Sequence, residues 1–197
     1  MTTEAATATP PKTEAVTYRL TSAESTFTVQ AFAEGLFSAF GHDPVIQIRE
    51  FDGEVHFVPG TYENGSLKLT VNPNSLAVSN DVKEKDRLEI ERTMREEVLE
   101  TAKYGEIVFT SNNLSVSKMG QERCRVRVIG DLTLHGATQK NIWISAEATV
   151  SADNLRAQGE FSLKQTEFGI KPYSAAGGTI KLKNELKFRF DIVGRKE

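Results

Sequence analysis

Cysteine is nearly missing from this 197-residue chain: Cys124 stands alone. A single thiol excludes an internal disulfide, a thiolate zinc cluster and a CxxC redox pair. It suits a reducing compartment without requiring one. Histidine is almost as sparse, since His42, His56 and His135 lie far apart, with neither an HExxH motif nor an i,i+4 pair among them. A metal site therefore has no support in the sequence, and no cofactor is expected. GxSxG, Walker and GxGxxG patterns are absent as well, and Gly177-Gly178 reads as a flexible loop. Positive charge is not in excess: 24 Lys and Arg against 27 Asp and Glu leave a net charge of -3. Nucleic-acid phosphates call for clustered cations on a strongly basic domain, so nucleic acid is not an expected partner. No stretch approaches the roughly 18 consecutive apolar residues of a membrane span. No transmembrane segment is expected, and the chain is expected to be soluble. Its first fifteen residues lack both the cationic start and the apolar run of a secretory signal. They read as a disordered tail (1–15), and the expected location is cytoplasmic, or periplasmic if a leader has been removed.

What the chain does contain is alternation. With 39% apolar side chains, a chain of about 200 residues builds one core, and one domain is expected over 16–194. The organising stretch is Val126 to Val150. Val126, Val128, Leu132 and Leu134 share one side before His135-Gly136, and Ile142, Ile144, Ala146, Ala148 and Val150 repeat at every second residue after it. That is the period of a half-buried strand, and two long strands meet at the His-Gly pair. Upstream, Tyr18 to Leu20 reads as a short strand, and Phe27, Val29, Ala31 and Ala33 alternate with polar residues from Ser25 onward. Gly35 to Pro44 brackets Leu36, Phe37 and Phe40 between glycines and a proline, which predicts a bend at the end of the sheet. Strands follow at Val45 to Arg49 and Phe51 to Val58, with Asp52-Gly53 as a bulge or turn, and again at Ser66 to Asn72 after a turn over Pro59 to Gly65.

One segment breaks the period. After Asn80 or Asp81, a candidate N-cap, residues Ile90, Met94, Val98 and Ala102 stand four apart among charges, which predicts an amphipathic helix at about 82–102. Its single apolar ridge must lie on an open end or flank of the sheet, which makes the helix a candidate lid. Strands resume at Ile107, turn at Lys118 to Glu122, and after the central pair turn again at Asp153-Asn154. The next strand carries Leu155, Ala157, Gly159, Phe161 and Leu163. A loop with Phe168, Ile170 and Tyr173 precedes a last strand from Thr179 to Val193, with Leu186, Phe188, Phe190 and Ile192 on one side. About eight strands joined mainly by short turns imply an antiparallel sheet, and closing it into a barrel removes both exposed edges. A barrel of this size either fills with side chains or holds one slender ligand.

The residues that bear chemistry each have an ordinary reading. His42-Asp43 at the bend is a candidate acid/base pair or head-group anchor, or else a turn cap. His135 belongs to a hairpin turn, and His56 shares the outward side of its strand with Glu54. The charge run from Lys83 to Arg95 reads as a solvated helix face; the sharper reading has Lys85, Arg87 or Arg92 meeting a pyrophosphate or quinone head at a barrel mouth.

Several of these pieces, in this order, resemble the YceI-like family. They are the F-x-V strand at Phe27, Phe51-Asp-Gly53, Lys85-Asp86-Arg87 in the helix, Tyr104 to Phe109, the Gly130-Asp-Leu-Thr-Leu-His-Gly136 box, and Phe161 to Ile170 ending in F-G-I. The resemblance spans about Val16 to Val193. It implies a mainly β fold, a single extended eight-stranded antiparallel lipocalin-like barrel with the helical segment inserted, whose apolar channel carries or stores an isoprenoid lipid of the quinone or polyprenyl phosphate type. The channel would be lined at inward parity by Phe27, Val29, Phe57, Leu69 and Phe109, and by Leu132, Ile144, Phe161, Phe188 and Phe190. Phe37, Phe40 and Phe168 would lie near its ends, with His42 and Arg87 choosing the head group. Two other functions stay open: a small hydrolase or isomerase using His42 and Asp43, and a filled barrel acting only through partners. A homodimer built on exposed strands or on the apolar bend is also open. Many relatives are exported, a pattern from which this amino terminus departs.

Overall fold

The structure, a computed structural model, describes residues 14–34, 43–62 and 64–197. Its strands are β1 (Val16–Gln30), β2 (Ala33–Glu34), β3 (Val45–Ile48), β4 (Phe51–Phe57), β5 (Ser66–Val71), β6 (Leu76–Val78), β7 (Ile107–Lys118), β8 (Arg123–Leu134), β9 (Ala137–Val150), β10 (Asn154–Lys164), β11 (Ser174–Ala175), β12 (Ile180–Leu182) and β13 (Glu185–Lys196). Helix α1 (Glu84–Thr93) lies between β6 and β7. Neighbours run in the order β1-β4-β5-β7-β8-β9-β10-β13, and β13 pairs back onto β1, closing an eight-stranded antiparallel barrel. β3 adds to the far half of β1, at Thr28 to Gln30, and β6 adds to β3.

Alternation decides which side of each strand is wet. In β4, Phe51, Gly53, Val55 and Phe57 are buried while Asp52, Glu54 and His56 are exposed. Burying the first set removes apolar surface from water, and the second set leaves charge solvated. The central hairpin turns through His135 (φ 52°) and Gly136 (φ 73°), a two-residue turn whose left-handed pair matches the twist of the flanking strands.

Several sequence-based expectations change. Tyr18 to Leu20 and the stretch after Ser25 form one strand: β1 continues through a bulge between Thr21 and Thr26, where the Ser25 hydroxyl donates to the Thr21 carbonyl and accepts the Val193 N–H at 2.9 Å. Asp52-Gly53 is neither bulge nor turn. Gly53 pairs with Leu20 on one side and Leu69 on the other, and a Cβ there would stand 2.6 Å from the Lys68 carbonyl oxygen. Close approach, not a bend, calls for the glycine. The last strand is also divided. β12 joins a small sheet in the order β11-β12-β2, and the break before β13 is held by the Lys183 N–H on the Phe32 carbonyl (2.8 Å) and by Asn184 bonding Thr166 through backbone and side chain.

The helix is shorter than the predicted 82–102. α1 ends at Thr93, and Met94–Val98 forms a π turn closed by the Leu99 N–H on the Met94 carbonyl at 2.9 Å. The wider turn inserts one residue into the helical repeat, so the ridge moves. Leu99 packs on the core, Thr101 is buried and Ala102 is exposed. Asn80 does not cap the helix; its Oδ1 accepts the Val45 N–H and its amide donates to the Asp43 carbonyl, which fixes the approach to β3.

The long connections gather at one end of the barrel: β1 to β4, β5 to β7 through α1, and β10 to β13. Shorter turns, at 58–65, 119–122 and 151–153, occupy the other end. The first end is therefore the one that loops and a helix can cover, and it is where a mouth is expected.

Candidate functional site

Inside the barrel is a cavity of about 490 Å³. Its wall is built by parity. Phe27 and Val29 from β1, Phe57 from β4, Leu69 from β5 and Phe109 from β7 line it, as do Leu132 from β8, Ile144 from β9, Phe161 from β10, and Phe188 and Phe190 from β13. The aromatic residues concentrate on one side. Phe161 and Phe188 stack at 4.7 Å between centroids, and Phe27 meets Phe51 and Phe190 edge-on at 6.1 and 6.4 Å. Ring pairs of this kind each add about 0.5 to 1.5 kcal/mol beyond the area they bury.

The space exists because other inward positions are small. Ala146 and Ala148 on β9 pair with Val126 and Cys124 on β8, Ala148 also pairs with Ala157 on β10, and all five line the cavity. Parity singles out aromatic residues as the ligand wall, but the alanines are what keep the barrel from filling. Their signal is the change from Ile142 and Ile144 to Ala146 and Ala148 along one face. Near the short-turn end Tyr62, in left-handed backbone (φ 59°), packs on the Phe57 ring at 5.5 Å. Burial pushes up the Tyr62 hydroxyl's pKa, reinforced by the Cys124 thiol, and burial alone pushes up that of the Cys124 thiol, whose Sγ lies 3.6 Å from the Ala148 carbonyl oxygen. Both groups are protonated at neutral pH, so neither brings a charge to the cavity lining here.

The end with the long connections is roofed by the helical segment. Ile90, Thr93, Met94, Val98 and Leu99 line the cavity from above, and Phe168, Ile170 and Tyr173, with Ile180 and Leu182 of β12, line it from the segment between β10 and β13. Phe168 is 1% exposed, held by the tight turn over Gln165–Phe168 that ends in left-handed Gly169. The charged residues of the lining, Glu89 and Lys164, belong to this end, with Gln165 beside Lys164.

A clasp fixes the lid's far side. The His135 Nε2 lies 2.8 Å from the Glu100 carboxylate, its ring rests on Tyr104 at 4.4 Å, and a Cβ on Gly136 would stand 2.6 Å from the Tyr104 ring. His135 is thus more enclosed than a hairpin-turn surface residue, with its side chain 12% exposed. His56 is exposed and bonds Thr17.

Arg87 is not at the mouth. It is half-buried on α1, tied to Glu84 one turn earlier, and does not line the cavity. Lys85 is exposed and outside the lining too, and Arg92 is gripped by Glu89, Glu96 and Glu97. The helix that carries these cations also carries the acids that neutralise them. Phe37, Phe40 and His42 lie outside the described residues. Asp43 accepts the Ala33 N–H at 2.8 Å, the work of a loop brace. Among the described residues no cluster of His, Cys, Asp and Glu has the makings of a metal site, and no helix is long and apolar enough to cross a membrane.

An eight-stranded barrel, closed by β1 on β13, hollow and roofed by one helix, is a specific combination. The family model for the YceI-like domain matches residues 18–193. The chain belongs to the YceI-like family. Solved YceI-like and related barrels superpose on it at low identity. BcnA of Burkholderia cenocepacia has a TM-score of 0.65 at 16% identity, covering 88% of this chain and 98% of that one. A polyisoprenoid binding domain from Saccharophagus degradans, implicated in plant cell wall breakdown, gives 0.65 at 16% identity, with 91% and 98% covered. The YceI protein of Campylobacter jejuni gives 0.59 at 16% identity, with 77% and 84% covered. At such identities the likeness speaks for the fold. No curated protein matches the chain.

Proposed function

We propose that this YceI-like protein binds an isoprenoid lipid, of the quinone or polyprenyl phosphate type, in its barrel and carries or stores it. The observation behind this reading is the cavity of about 490 Å³, walled by Phe, Leu, Ile, Val and Ala and roofed by a separate helical segment. Its size falls in the range of small-molecule sites. An apolar tail leaving water gains about 25 cal/mol per Å², so a few hundred Å² supply several kcal/mol before the cost of ordering. The tail is then the main source of affinity and the polar end the source of choice. The polyisoprenoid-binding description of the Saccharophagus domain, whose barrel this fold matches, supports the same class of ligand.

The test is to replace Leu69 and Phe109 by Trp, one at a time, and to measure uptake of a labelled polyprenol alongside native mass spectrometry of the purified protein. Either ring should narrow the channel without adding charge, and affinity should fall at least tenfold in each variant. Folded variants that bind as tightly as the parent would remove the tail from the barrel and the reading with it.

A further inference from the structure

The barrel wall is not paired along its whole height. β9 and β10 form a ladder only from Val150 opposite Leu155 to Glu147 opposite Gln158, whereas β9 pairs with β8 as far as Ala137 and β10 with β13 as far as Lys164. Residues 137–146 and 159–164 are thus strands with one edge outside any ladder, and they bound a seam in the half of the wall nearer the lid. Toward the short turns the seam ends at Gly159, where an added Cβ would stand 2.6 Å from the Ser145 carbonyl oxygen. Toward the lid it is bridged by the Gln139 side-chain amide, which donates to the Glu167 carbonyl at 2.5 Å. Ile144 on one side of the seam and Phe161 on the other line the cavity, and both are half-buried.

Trp143, next to Ile144, faces the other way. It is the chain's sole tryptophan and, at 64% exposure, the most exposed large apolar side chain among the described residues; the Arg127 guanidinium lies over its ring at 5.8 Å. The charge around it is mainly positive. On β8 and β9 four cations, Arg123, Arg125, Arg127 and Lys140, stand against two acids, Asp131 and Glu147. Glu147 is shared by Arg123 and Arg125 at 3.4 and 3.7 Å, while among the described residues Arg127 and Lys140 make no ion pair. Across the seam Glu160 is already held by Lys187 at 3.0 Å and Arg189 at 3.6 Å. A chain of net charge -3 therefore keeps one cationic, aromatic flank beside its cavity. An indole in water with cations around it matches the boundary layer of an anionic bilayer, where rings sit at headgroup level and cations meet lipid phosphates. The lid is a poorer match, because its arginines are answered by its own acids.

We propose that this flank docks on an anionic bilayer surface, with Trp143 in the headgroup layer, Arg127 and Lys140 against the lipid phosphates, and the seam turned toward the membrane. This rests on the lipid-carrier reading and adds the membrane face and the side from which the barrel is loaded. A tail that passes between Ile144 and Phe161 moves from bilayer to cavity without crossing water, which removes the main cost of its transfer.

Trp143 reports on its own surroundings, since no other indole contributes to the emission. On addition of vesicles of phosphatidylglycerol and phosphatidylcholine in equal parts, its emission should shift to the blue and be quenched by lipids brominated near the top of their acyl chains, and salt should weaken the binding. Trp143→Asp and Arg127→Glu should each lose tenfold or more in vesicle affinity by sedimentation. Met119→Asp, at an exposed apolar residue in the turn between β7 and β8, should lose less than twofold. Uptake of a labelled polyprenol from the vesicles should fall at least tenfold in Trp143→Asp, with uptake from detergent micelles unchanged. Vesicle binding that leaves the Trp143 emission unmoved, or that survives Trp143→Asp, would put the contact elsewhere on the surface; absence of vesicle binding would leave the flank to a protein partner or to water. Each of these overturns the proposal, and vesicle uptake that outlasts the loss of docking overturns the loading route. If the polyprenol enters from neither source, the carrier reading fails, and the docking face is still decided by the Trp143 emission.

Discussion

At Gly130 a hydrogen stands where any other residue would place a methyl group, and the neighbouring strand has closed in on the space. A Cβ there would meet the Thr110 carbonyl oxygen at 2.3 Å, the Phe109 ring at 2.7 Å and the Ser111 Cβ at 2.9 Å. Both flanking ladders shift register next to it, β7 between Thr110 and Asn113 and β9 across the step from Gln139 to Ile142, where Asn141 turns left-handed (φ 58°) and the Asp131 carboxylate accepts its N–H. The glycine is therefore the point about which two bulges are arranged. Gly130→Ala should cost about 1 to 3 kcal/mol, the usual penalty for overpacking a filled site. Gly120→Ala, in a turn where an added Cβ meets nothing within 4 Å, should stay within about 0.5 kcal/mol of the parent. Urea denaturation of the two variants checks this, and coincident midpoints would mean that the strands yield freely. In the sequence, Gly130 was visible as the start of a motif but not as a contact. A glycine's letter does not say whether it serves a turn, as at Gly136, or a close approach, as at Gly130 and Gly53.

The helical lid shows the same limit at the scale of an element. Spacing of four from Ile90 to Val98 marked the helix and its apolar ridge, since a 3.6-residue period leaves that trace in any sequence. The trace stops being readable at the π turn, because nothing in M-R-E-E-V announces one extra residue per turn, and the ridge was carried on to Ala102 instead of Leu99. Charge is no clearer a guide: the run from Lys83 to Arg95 allows both a solvated face and a head-group contact, and Glu84 one turn before Arg87 engages its cation. The clasp between Glu100 and His135 depends on residues 35 apart in the chain, and no local pattern could have joined them. Both sit in left-handed backbone, at φ 46° and 52°, so the contact is held by two unusual conformations. Losing that one hydrogen bond should cost about 0.5 to 1.5 kcal/mol, expressed where the lid is anchored. In His135→Ala, amide exchange across residues 84–98 should quicken up to about tenfold, with the central barrel strands unchanged; Glu100→Gln should act in the same direction. Uniform acceleration through β8 and β9 would instead make the clasp part of the barrel's own stability.

For the molecule as a whole, the barrel was legible because each strand repeats one decision, inward or outward, many times over, and errors at single positions do not alter the sum. The ten inward positions named from β1 to β13 line one cavity for that reason. That the cavity is hollow was not legible, since it depends on the balance of ring and methyl volumes across strands that only closure brings face to face. Closure also places the chain's single sulfhydryl inside the vessel, 3% exposed, among the alanines toward the short-turn end. The molecule thus carries its own occupancy gauge. A small alkylating reagent should modify Cys124 slowly in empty barrels, because burial disfavours the thiolate, and more slowly still when a tail lies between the mouth and the sulfur. Timed iodoacetamide labelling read by intact mass would follow filling and emptying without any dye attached to the lipid. Equal rates with and without lipid would mean that the tail stops short of the sulfur, which turns one buried atom into a depth mark for whatever the barrel holds.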